Sequence, residues 1–370
     1  MTPPSEPSRP KAFFLSPENP TAGWGGGGLR SSSLLTYLQL HYDVDLFQFD
    51  LRKHSKSTSA RVRRNAVRFL QGAPPLFDRF AGYEGQLASK LAKKHYDLAI
   101  IEHFWCASYA PLLRKHARKL VLDLHNIESE LARTHARSVR WPISWASSRF
   151  AEAYRKLEHQ WLPQFDTLLV TSEDDRLRVR HKDVHVYPNA LPVIPRPNEP
   201  EEDCIVFSGN LEYHPNIEAV RWFRRAIWPL IEAQRPDLEW RLVGRNPEAI
   251  RKIVDGSPRI RVIGPVDDAV RELARAKVCV VPLLSGSGTR FKILEAWAAE
   301  RAVVSTRLGA EGLGAKNGEH VSIADNPESF TTAVLHLLND SAQRTHQAKS
   351  GRALYESNFT WPQAWKSLPL

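Results

Sequence analysis

Short runs of apolar residues alternate along the chain with longer stretches in which apolar residues recur at helical spacing. The apolar runs are 12–15, 44–49, 98–101, 120–124, 167–170, 184–187, 204–208, 240–243, 260–263, 278–283, 302–305 and 320–323. Stretches such as 216–233 and 247–254 have the period of an amphipathic helix. Nearly continuous apolar strands separated by helices are typical of parallel sheets with helices on both faces. The pattern therefore predicts an α/β protein.

A proline-rich connector separates the first six predicted strands from the last six. Residues 188–200 contain five prolines, and such a segment is stiff and forms neither a helix nor a strand. We place the boundary at Pro192, which predicts an N-terminal domain over 1–192 and a second domain that begins at residue 193. Six strands in each half indicate two doubly wound Rossmann-like domains facing across a cleft, with ligands at the carboxyl ends of the strands.

The composition fits this picture and excludes several classes of protein. Of the 370 residues, 42% are hydrophobic and 25% are charged, which is ordinary for a soluble globular protein. No apolar run approaches the ~18 residues that a membrane-spanning helix needs, and 12–15 is too short for a signal-peptide core. The three cysteines are far apart and no C-x-x-C motif occurs, so we expect a reducing, cytoplasmic location without disulfides or a zinc site.

The positive charge is concentrated in the first half of the chain. The net charge is +10, and residues 1–192 carry 28 bases and 19 acids, a net of +9. Seven bases and no acid lie between Asp50 and Asp78. This pattern fits either a solvated face or an anionic partner. No nucleic-acid-binding motif accompanies the charge, whereas Trp141 and Trp145 beside further arginines favour an anionic membrane surface.

A glycine-rich segment, 23–30, follows the first predicted strand and precedes a helix-like stretch over 31–40. Gly26 and Gly27 would allow backbone N–H groups to approach a phosphate at the start of that helix. The segment is neither a dinucleotide fingerprint nor a Walker loop. A flexible linker is the alternative interpretation.

Two histidines follow neighbouring strands of the first half. His103 comes directly after the third predicted strand, and His125 and Asn126 come at the end of the fourth. A histidine there could bond a sugar hydroxyl or a phosphate, or move a proton. For His103, a buried structural role is the alternative. No third histidine or cysteine has ligand spacing, so we expect no metal site.

The second half carries a more specific motif. The strand ending near 283 runs into a Ser/Gly loop and then a helix whose first turns hold Arg290, Lys292 and Glu295. A helix N-terminus disfavours cations unless an anion binds there, so the two bases indicate a diphosphate site. The glycines that end three preceding strands suggest close backbone approach to the same ligand. The donor-binding candidates are Gly26, Gly27, Gly209, Asn210, Arg245, Gly264, Val266, Gly286, Ser287, Gly288, Thr289, Arg290, Lys292 and Glu295.

Together these motifs resemble the GT-B glycosyltransferases of retaining family 4, or glycosyltransferase group 1. The carrying segments are 123–126, 188–189, 207–216, 244–247, 281–295 and 302–312. The resemblance implies a GT-B fold with the acceptor on the first domain and a nucleotide-diphospho-sugar on the second. It implies retaining, metal-independent transfer without a cofactor. It also implies that the second domain covers 193–355 and that a final segment, 356–370, crosses back onto the first domain. By this match, Glu295 is the second glutamate of an E-x7-E motif and holds the ribose, and His125 lies near the transferred sugar.

Two departures from the family pattern leave alternatives open. Ser287 occupies the position of the first glutamate of E-x7-E, and the family's basic pair after 208–209 is absent. A GT-B epimerase or phosphorylase, or a degenerate GT-B domain that binds a nucleotide or a partner without catalysis, are the competing interpretations. The expected partners are a UDP-, GDP- or other nucleotide-sugar, a saccharide or lipid-linked acceptor contacting His103 and Asn126, and an anionic membrane surface. Nucleic acid is not expected. We place the protein in polysaccharide biosynthesis, at the inner face of the cell membrane.

Overall fold

The computed structural model describes residues 9–17, 19–20, 25–51, 57–138, 141–286 and 291–370. Its contacts divide the chain into two compact units. The first unit is the chain up to Tyr187 together with Ser367–Leu370, and the second is Pro188–Lys366. The helices among the described residues include none long and apolar enough to span a membrane.

The first unit is a six-stranded, entirely parallel sheet in the order β2-β1-β3-β4-β5-β6. Both faces of its central strands are buried, which explains their continuous apolar sequence. The strands are β1 Lys11–Leu15, β2 Asp43–Phe47, β3 Tyr96–Glu102, β4 Ala117–Asp123, β5 Thr167–Val170 and β6 Val184–Val186. The helices are α1 Gly25–His41, α2 Thr58–Gln71, α3 Pro75–Arg79, α4 Glu84–Leu91, α5 Ala110–Leu113, α6 Glu128–Ser138, α7 Ile143–Trp161 and α8 Glu173–Arg178, with 3-10 turns at Phe104–Tyr109 and Leu162–Gln164.

The second unit repeats this architecture with the strand order β12-β11-β10-β7-β8-β9, again all parallel. The strands are β7 Glu202–Ser208, β8 Glu239–Val243, β9 Ile260–Gly264, β10 Ala276–Val281, β11 Ala302–Ser305 and β12 Ser322–Ile323. The helices are α9 His214–Trp222, α10 Trp228–Gln234, α11 Glu248–Val254, α12 Ala269–Leu273, α13 Phe291–Ala298, α14 Pro327–Asn339, α15 Ser341–Asn358 and α16 Trp361–Trp365, with a π turn at Phe223–Ile227 and a 3-10 turn at Leu308–Ala310. Each predicted strand is present, so two doubly wound α/β sheets are confirmed.

The first helix begins earlier than the sequence suggested. The glycine-rich segment was expected to be a loop before a helix over 31–40, but α1 already starts at Gly25 and includes Gly26 and Gly27. Glycine is a poor helix former. Here tertiary packing outweighs that preference, because Arg30, Leu34 and Leu38 on one face of α1 are all fully buried.

The proline-rich connector belongs with the second unit. Tyr355 on α15 donates from its hydroxyl to the Pro192 carbonyl (2.5 Å) and accepts from the Ile194 N–H (3.2 Å). Leu191 exchanges backbone hydrogen bonds with Phe359 and Trp361. By its contacts the second unit runs from Pro188 to Lys366, and Ser367–Leu370 belong to the first unit. The domain boundaries at Pro192 and at residue 356 stay predictions. Within Ser367–Leu370 the Pro369 carbonyl accepts from Lys119 Nζ at 2.7 Å.

Candidate active site

A buried ion pair lies at the carboxyl end of the first sheet. The Arg30 guanidinium on α1 donates to both carboxylate oxygens of Asp123 at the end of β4, with distances of 2.5 to 3.2 Å, and to the Tyr187 carbonyl at 2.6 Å. The Arg30 and Asp123 side chains are 1% and 0% exposed. Burial alone would raise the pKa of Asp123, but Arg30 and His125 lower it well below its usual range. Asp123 is therefore a fixed negative charge.

His125 lies between two carboxylates. Its Nε2 atom is 3.3 Å from Asp123 Oδ2 and 3.5 Å from Glu102 Oε1. Glu102 and Asp123 are register partners at the ends of β3 and β4, which explains why both face the same imidazole. Burial acts to lower the pKa of His125, but the two carboxylates outweigh it and raise that pKa to about 9. At neutral pH His125 is an imidazolium.

His103 stacks in the same cluster as a neutral ring. Its ring centroid is 3.7 Å from that of His125 and 4.2 Å from that of Trp105. Burial and the neighbouring His125 charge lower the pKa of His103 well below its usual value. Its backbone has φ 61° and ψ 136°, a conformation that costs a non-glycine residue on the order of 1–3 kcal/mol. Neither ring nitrogen has a hydrogen-bond partner within the described chain, so His103 is buried with the hydrogen-bonding capacity of its ring unused.

In the second unit, Lys292 lies against the turn that follows β7. Its Nζ donates to Asn216 Oδ1 at 2.6 Å and lies 4.1 Å from the centre of the Phe207 ring. A side chain at Gly209 would place its Cβ 3.3 Å from the Lys292 Nζ, so this glycine leaves room for the ammonium group. Asn216 also donates to the Asn210 carbonyl at 2.7 Å. Gly209, Asn210 and Lys292 are thus brought together as the sequence predicted.

Glu295 lies one turn further along α13 and reaches the same strand end. Its Oε2 accepts a hydrogen bond from Ser208 Oγ at 3.4 Å. Burial raises the pKa of Glu295 to about 7, against the opposing effects of Lys292 and Ser208. A carboxyl held beside an ammonium at a strand end can bind hydroxyl groups and an anion side by side.

The glycines that end β8 and β9 have a different explanation from the one the sequence suggested. A Cβ at Gly244 would lie 1.7 Å from the Gly209 carbonyl oxygen, so its close approach is to protein backbone. Gly264 accepts from the Gly244 N–H at 2.8 Å and has φ +81°, which favours glycine. Ligand approach is not needed to explain either residue.

The other donor-binding candidates are placed less tightly. The Arg245 carbonyl accepts from the Leu211 N–H, while its side chain is exposed. Val266 lies partly exposed in the loop after β9, and Gly286 is buried with φ +125°. Ser287, Gly288, Thr289 and Arg290 lie outside the described residues.

Comparisons with known proteins place this second-unit cluster in a family. The family model "Glycosyl transferases group 1" matches residues 202–340. A curated relative, an "Uncharacterized 44.6 kDa protein in cps region" of Klebsiella pneumoniae, is 23% identical over 295 residues, which is 75% of this chain and 74% of that protein.

Solved structures extend the likeness to the fold of the whole chain. Sucrose-phosphate synthase from Thermosynechococcus elongatus has a TM-score of 0.73 at 18% identity and covers 97% of both chains. A structure described as trehalose-6-phosphate from E. coli, bound with UDP-2-fluoro glucose, has a TM-score of 0.65 at 15% identity and covers 96% of this chain and 98% of its own. The chain therefore has the fold of the GT-B glycosyltransferases.

The region that matches the group 1 glycosyltransferases contains the Lys292 and Glu295 cluster. Three polar residues of the first unit were not predicted from the sequence. These are Arg30, Glu102 and Glu128. Arg30, Leu34 and Leu38 have the i, i+4, i+8 spacing of one helix face. The position of Arg30 on this apolar face could have indicated that it is buried. Glu128 is buried, accepts from Trp105 Nε1 at 2.8 Å, and has a pKa raised by burial to about 8.

The sequence predicted no metal site, but the described residues include one group of potential metal ligands. Side-chain atoms of Glu102, Asp123 and His125 lie within 4.8 Å of one another. Arg30 donates to both oxygens of Asp123, so this carboxylate is already engaged and is a poor candidate ligand. Metal-independent chemistry stays a prediction for this glycosyltransferase fold.

Proposed function

We propose that the protein transfers a sugar from a nucleotide-diphospho-sugar to a saccharide acceptor. The observation that carries this proposal is the Gly209, Lys292 and Glu295 cluster inside the region that matches the group 1 glycosyltransferases. A structural neighbour bound with UDP-2-fluoro glucose supports the donor class. The Klebsiella relative from a cps region supports a role in polysaccharide synthesis.

The donor's diphosphate is assigned to the start of α13. Lys292 is held by Asn216 and supplies one positive charge there. We add Arg290 and the backbone N–H groups of 286–289 to this site from the sequence alone. Glu295 is assigned the ribose, because a carboxylate accepts from two neighbouring hydroxyls.

The donor site is tested by thermal-shift and affinity measurements with UDP, GDP, ADP and CMP, each alone and as a sugar conjugate. A ligand at a hundred times its Kd adds about 2.7 kcal/mol of stability. Lys292→Ala should weaken nucleotide-diphosphate binding by ~1.5–3 kcal/mol, the contribution of a hydrogen bond to a charged group. Lys316→Ala, an exposed lysine of the same unit, is the matched control. Equal affinity of both variants for every nucleotide would remove Lys292 from the site.

Glu295→Gln tests the ribose contact separately. The amide keeps the shape of the side chain and loses one acceptor, so the preference for ribonucleotides over 2′-deoxyribonucleotides should fall. An unchanged preference would assign Glu295 to structure alone.

His125 is assigned a positioning role toward the transferred sugar. An imidazole with a pKa of about 9 is already protonated at neutral pH, so it is not suited to act as the general base. In retaining front-side transfer the leaving phosphate can take the acceptor's proton while the protein positions charges. His125→Ala should lower kcat by roughly 10²–10⁴ with little change in nucleotide affinity. The exposed His159→Ala is the control, and a wild-type kcat in His125→Ala would contradict the assignment.

Retention and metal independence are parts of the same proposal. The anomeric configuration of the product, followed by NMR, tests retention, and activity that survives EDTA tests metal independence. Ser287 at the family's glutamate position favours one alternative, a GT-B domain that binds its nucleotide without transfer. Nucleotide binding without donor hydrolysis or transfer to any acceptor would support that alternative.

We also propose a cytoplasmic location beside the inner face of the cell membrane, with a lipid-linked saccharide as one acceptor class. The basic first half of the chain and its exposed tryptophans support this part of the proposal. His103 and Asn126 remain the proposed acceptor contacts.

A further inference from the structure

The exposed apolar side chains of the first unit are concentrated in one region. Fourteen large hydrophobic side chains are exposed among the described residues, and seven of them lie in 62–76 and 141–145. These seven are Val62, Val67, Leu70, Leu76, Trp141, Ile143 and Trp145. Scattered exposed hydrophobic residues are normal, but a concentration of them marks an interaction surface.

Contacts between α2 and α7 join the two segments into one surface. The Phe69 ring on α2 lies 4.9 Å from the Trp145 ring on α7. Arg149 on α7 donates to the Phe69 carbonyl at 3.1 Å and to the Leu70 carbonyl at 3.4 Å. The end of α2 is therefore fixed beside the start of α7, and Leu70 and Trp141 are 76% and 80% exposed.

Helix α2 turns part of its apolar face outward. Val62, Ala66, Phe69 and Leu70 have the i, i+4, i+7, i+8 spacing of one helix face. Only Phe69 of these packs against aromatic rings of α7, while Val62 and Leu70 remain exposed. On the opposite face Arg68 is turned toward the protein and paired with Asp78 at 2.6 Å. An apolar face directed outward needs a partner that accepts apolar groups.

The charge around the surface identifies that partner as anionic. No acidic residue occurs between Asp50 and Asp78, and none occurs between Glu130 and Glu152. Among the described side chains these stretches supply Arg63, Arg64 and Arg68 on α2, Arg133 and Arg137 on α6, and Arg149 on α7. Exposed tryptophans beside arginines suit the headgroup region of a bilayer, where an aromatic ring is half buried and a base meets a lipid phosphate.

We propose that the α2–α7 surface, formed by residues 62–76 and 141–149 and flanked by Arg137 on α6, docks the protein on an anionic lipid bilayer. Leu70, Trp141 and Ile143 enter the headgroup region, and Arg63 and Arg137 lie at the lipid phosphates. Docking deepens the membrane-location part of the proposed function but does not depend on sugar transfer, so vesicle binding and glycosyl transfer can fail separately.

Sedimentation with vesicles tests the docking surface with the full-length protein. We expect binding to phosphatidylcholine vesicles that contain phosphatidylglycerol, no binding to phosphatidylcholine alone, and loss of binding as salt is raised. The paired change Leu70→Ser with Trp141→Ser should weaken binding by roughly tenfold or more. Arg63→Gln with Arg137→Gln should weaken it by about 25-fold at low salt, fivefold for each base.

Matched controls carry the same changes elsewhere. Leu40→Ser with Leu177→Ser removes two exposed leucines outside the surface, and Lys115→Gln with Lys252→Gln removes two exposed lysines. Both control variants should bind vesicles like the wild type, and the circular dichroism of all variants should stay unchanged. The proposal would be overturned if the control variants lost as much vesicle binding as the surface variants, or if the surface variants bound like the wild type. It would also be overturned if the wild-type protein did not bind anionic vesicles. A dimer in sedimentation velocity that dissociates in Leu70→Ser with Trp141→Ser would assign the surface to a second copy of the chain instead.

Discussion

Removing the Arg30 guanidinium should destabilise the first unit far more than the loss of an ordinary ion pair. In Arg30→Met the apolar stem is kept and the charge is lost. Asp123 then remains fully buried without the group that donates to both its oxygens, and the Tyr187 carbonyl loses its donor. His125, at 3.3 Å, remains as a positively charged neighbour of Asp123.

The size of the effect follows from burial. Breaking a buried ion pair by removing one partner costs about 3–5 kcal/mol, because the other charge is left in a medium of low polarity. Arg30 is also 4.3 Å from the centre of the Tyr187 ring, a contact that adds to the loss. We therefore expect about 4 kcal/mol for Arg30→Met. The exposed pair of Arg133 with Glu130 at 2.6 Å should contribute only about 0.2–1 kcal/mol.

Hydrogen–deuterium exchange of peptides from β4 measures the opening free energy of the first unit without requiring two-state unfolding of the whole chain. Arg133→Met is the control. The double change Arg30→Met with Asp123→Leu should recover much of the lost stability, since replacing both charges by apolar groups can be nearly neutral. A loss below 1 kcal/mol in Arg30→Met, or a double variant less stable than either single one, would refute the assignment of Arg30 as the counter-charge of Asp123.

Two further predictions concern pH and backbone packing. The pKa of His125 is raised from 6.5 to about 9, so its contribution to stability is complete below pH 6.5 and is lost as the pH rises through 9. We expect the opening free energy of the first unit, measured by amide exchange, to fall by about 3 kcal/mol across that interval. His125→Gln should remove most of this pH dependence. An unchanged pH dependence of the opening free energy in His125→Gln would contradict the raised pKa. Gly244→Ala should destabilise the second unit by more than about 3 kcal/mol in urea unfolding, because its Cβ would lie 1.7 Å from the Gly209 carbonyl. Gly256→Ala, which also has a positive φ but open space around it, should cost only about 1 kcal/mol, and equal losses in the two variants would contradict the proposed close contact.

The strands and the basic motif at the start of α13 could be predicted from the sequence because each is defined by residues that are close together along the chain. A strand buried on both faces needs a continuous apolar run, so β3, β5 and β10 could be predicted from the amino-acid sequence alone. The first turns of α13 were recognisable because bases at a helix N-terminus contradict the helix dipole. The comparisons then matched the domain that contains this helix.

The chemistry of the first unit depended on contacts between residues that are distant in the sequence. Arg30 and Asp123 are separated by 93 positions, and their pairing depends on how α1 packs over the sheet. The register of β3 against β4 sets Glu102 beside Asp123, and only that register places His125 between two carboxylates. A sequence lists ionisable groups, but their protonation depends on burial and on neighbouring charges. The sequence by itself therefore determined the two parallel sheets and the basic motif at the start of α13. The tertiary structure decided that His125 is an imidazolium, that His103 is a buried neutral ring and that Gly244 is required by protein backbone.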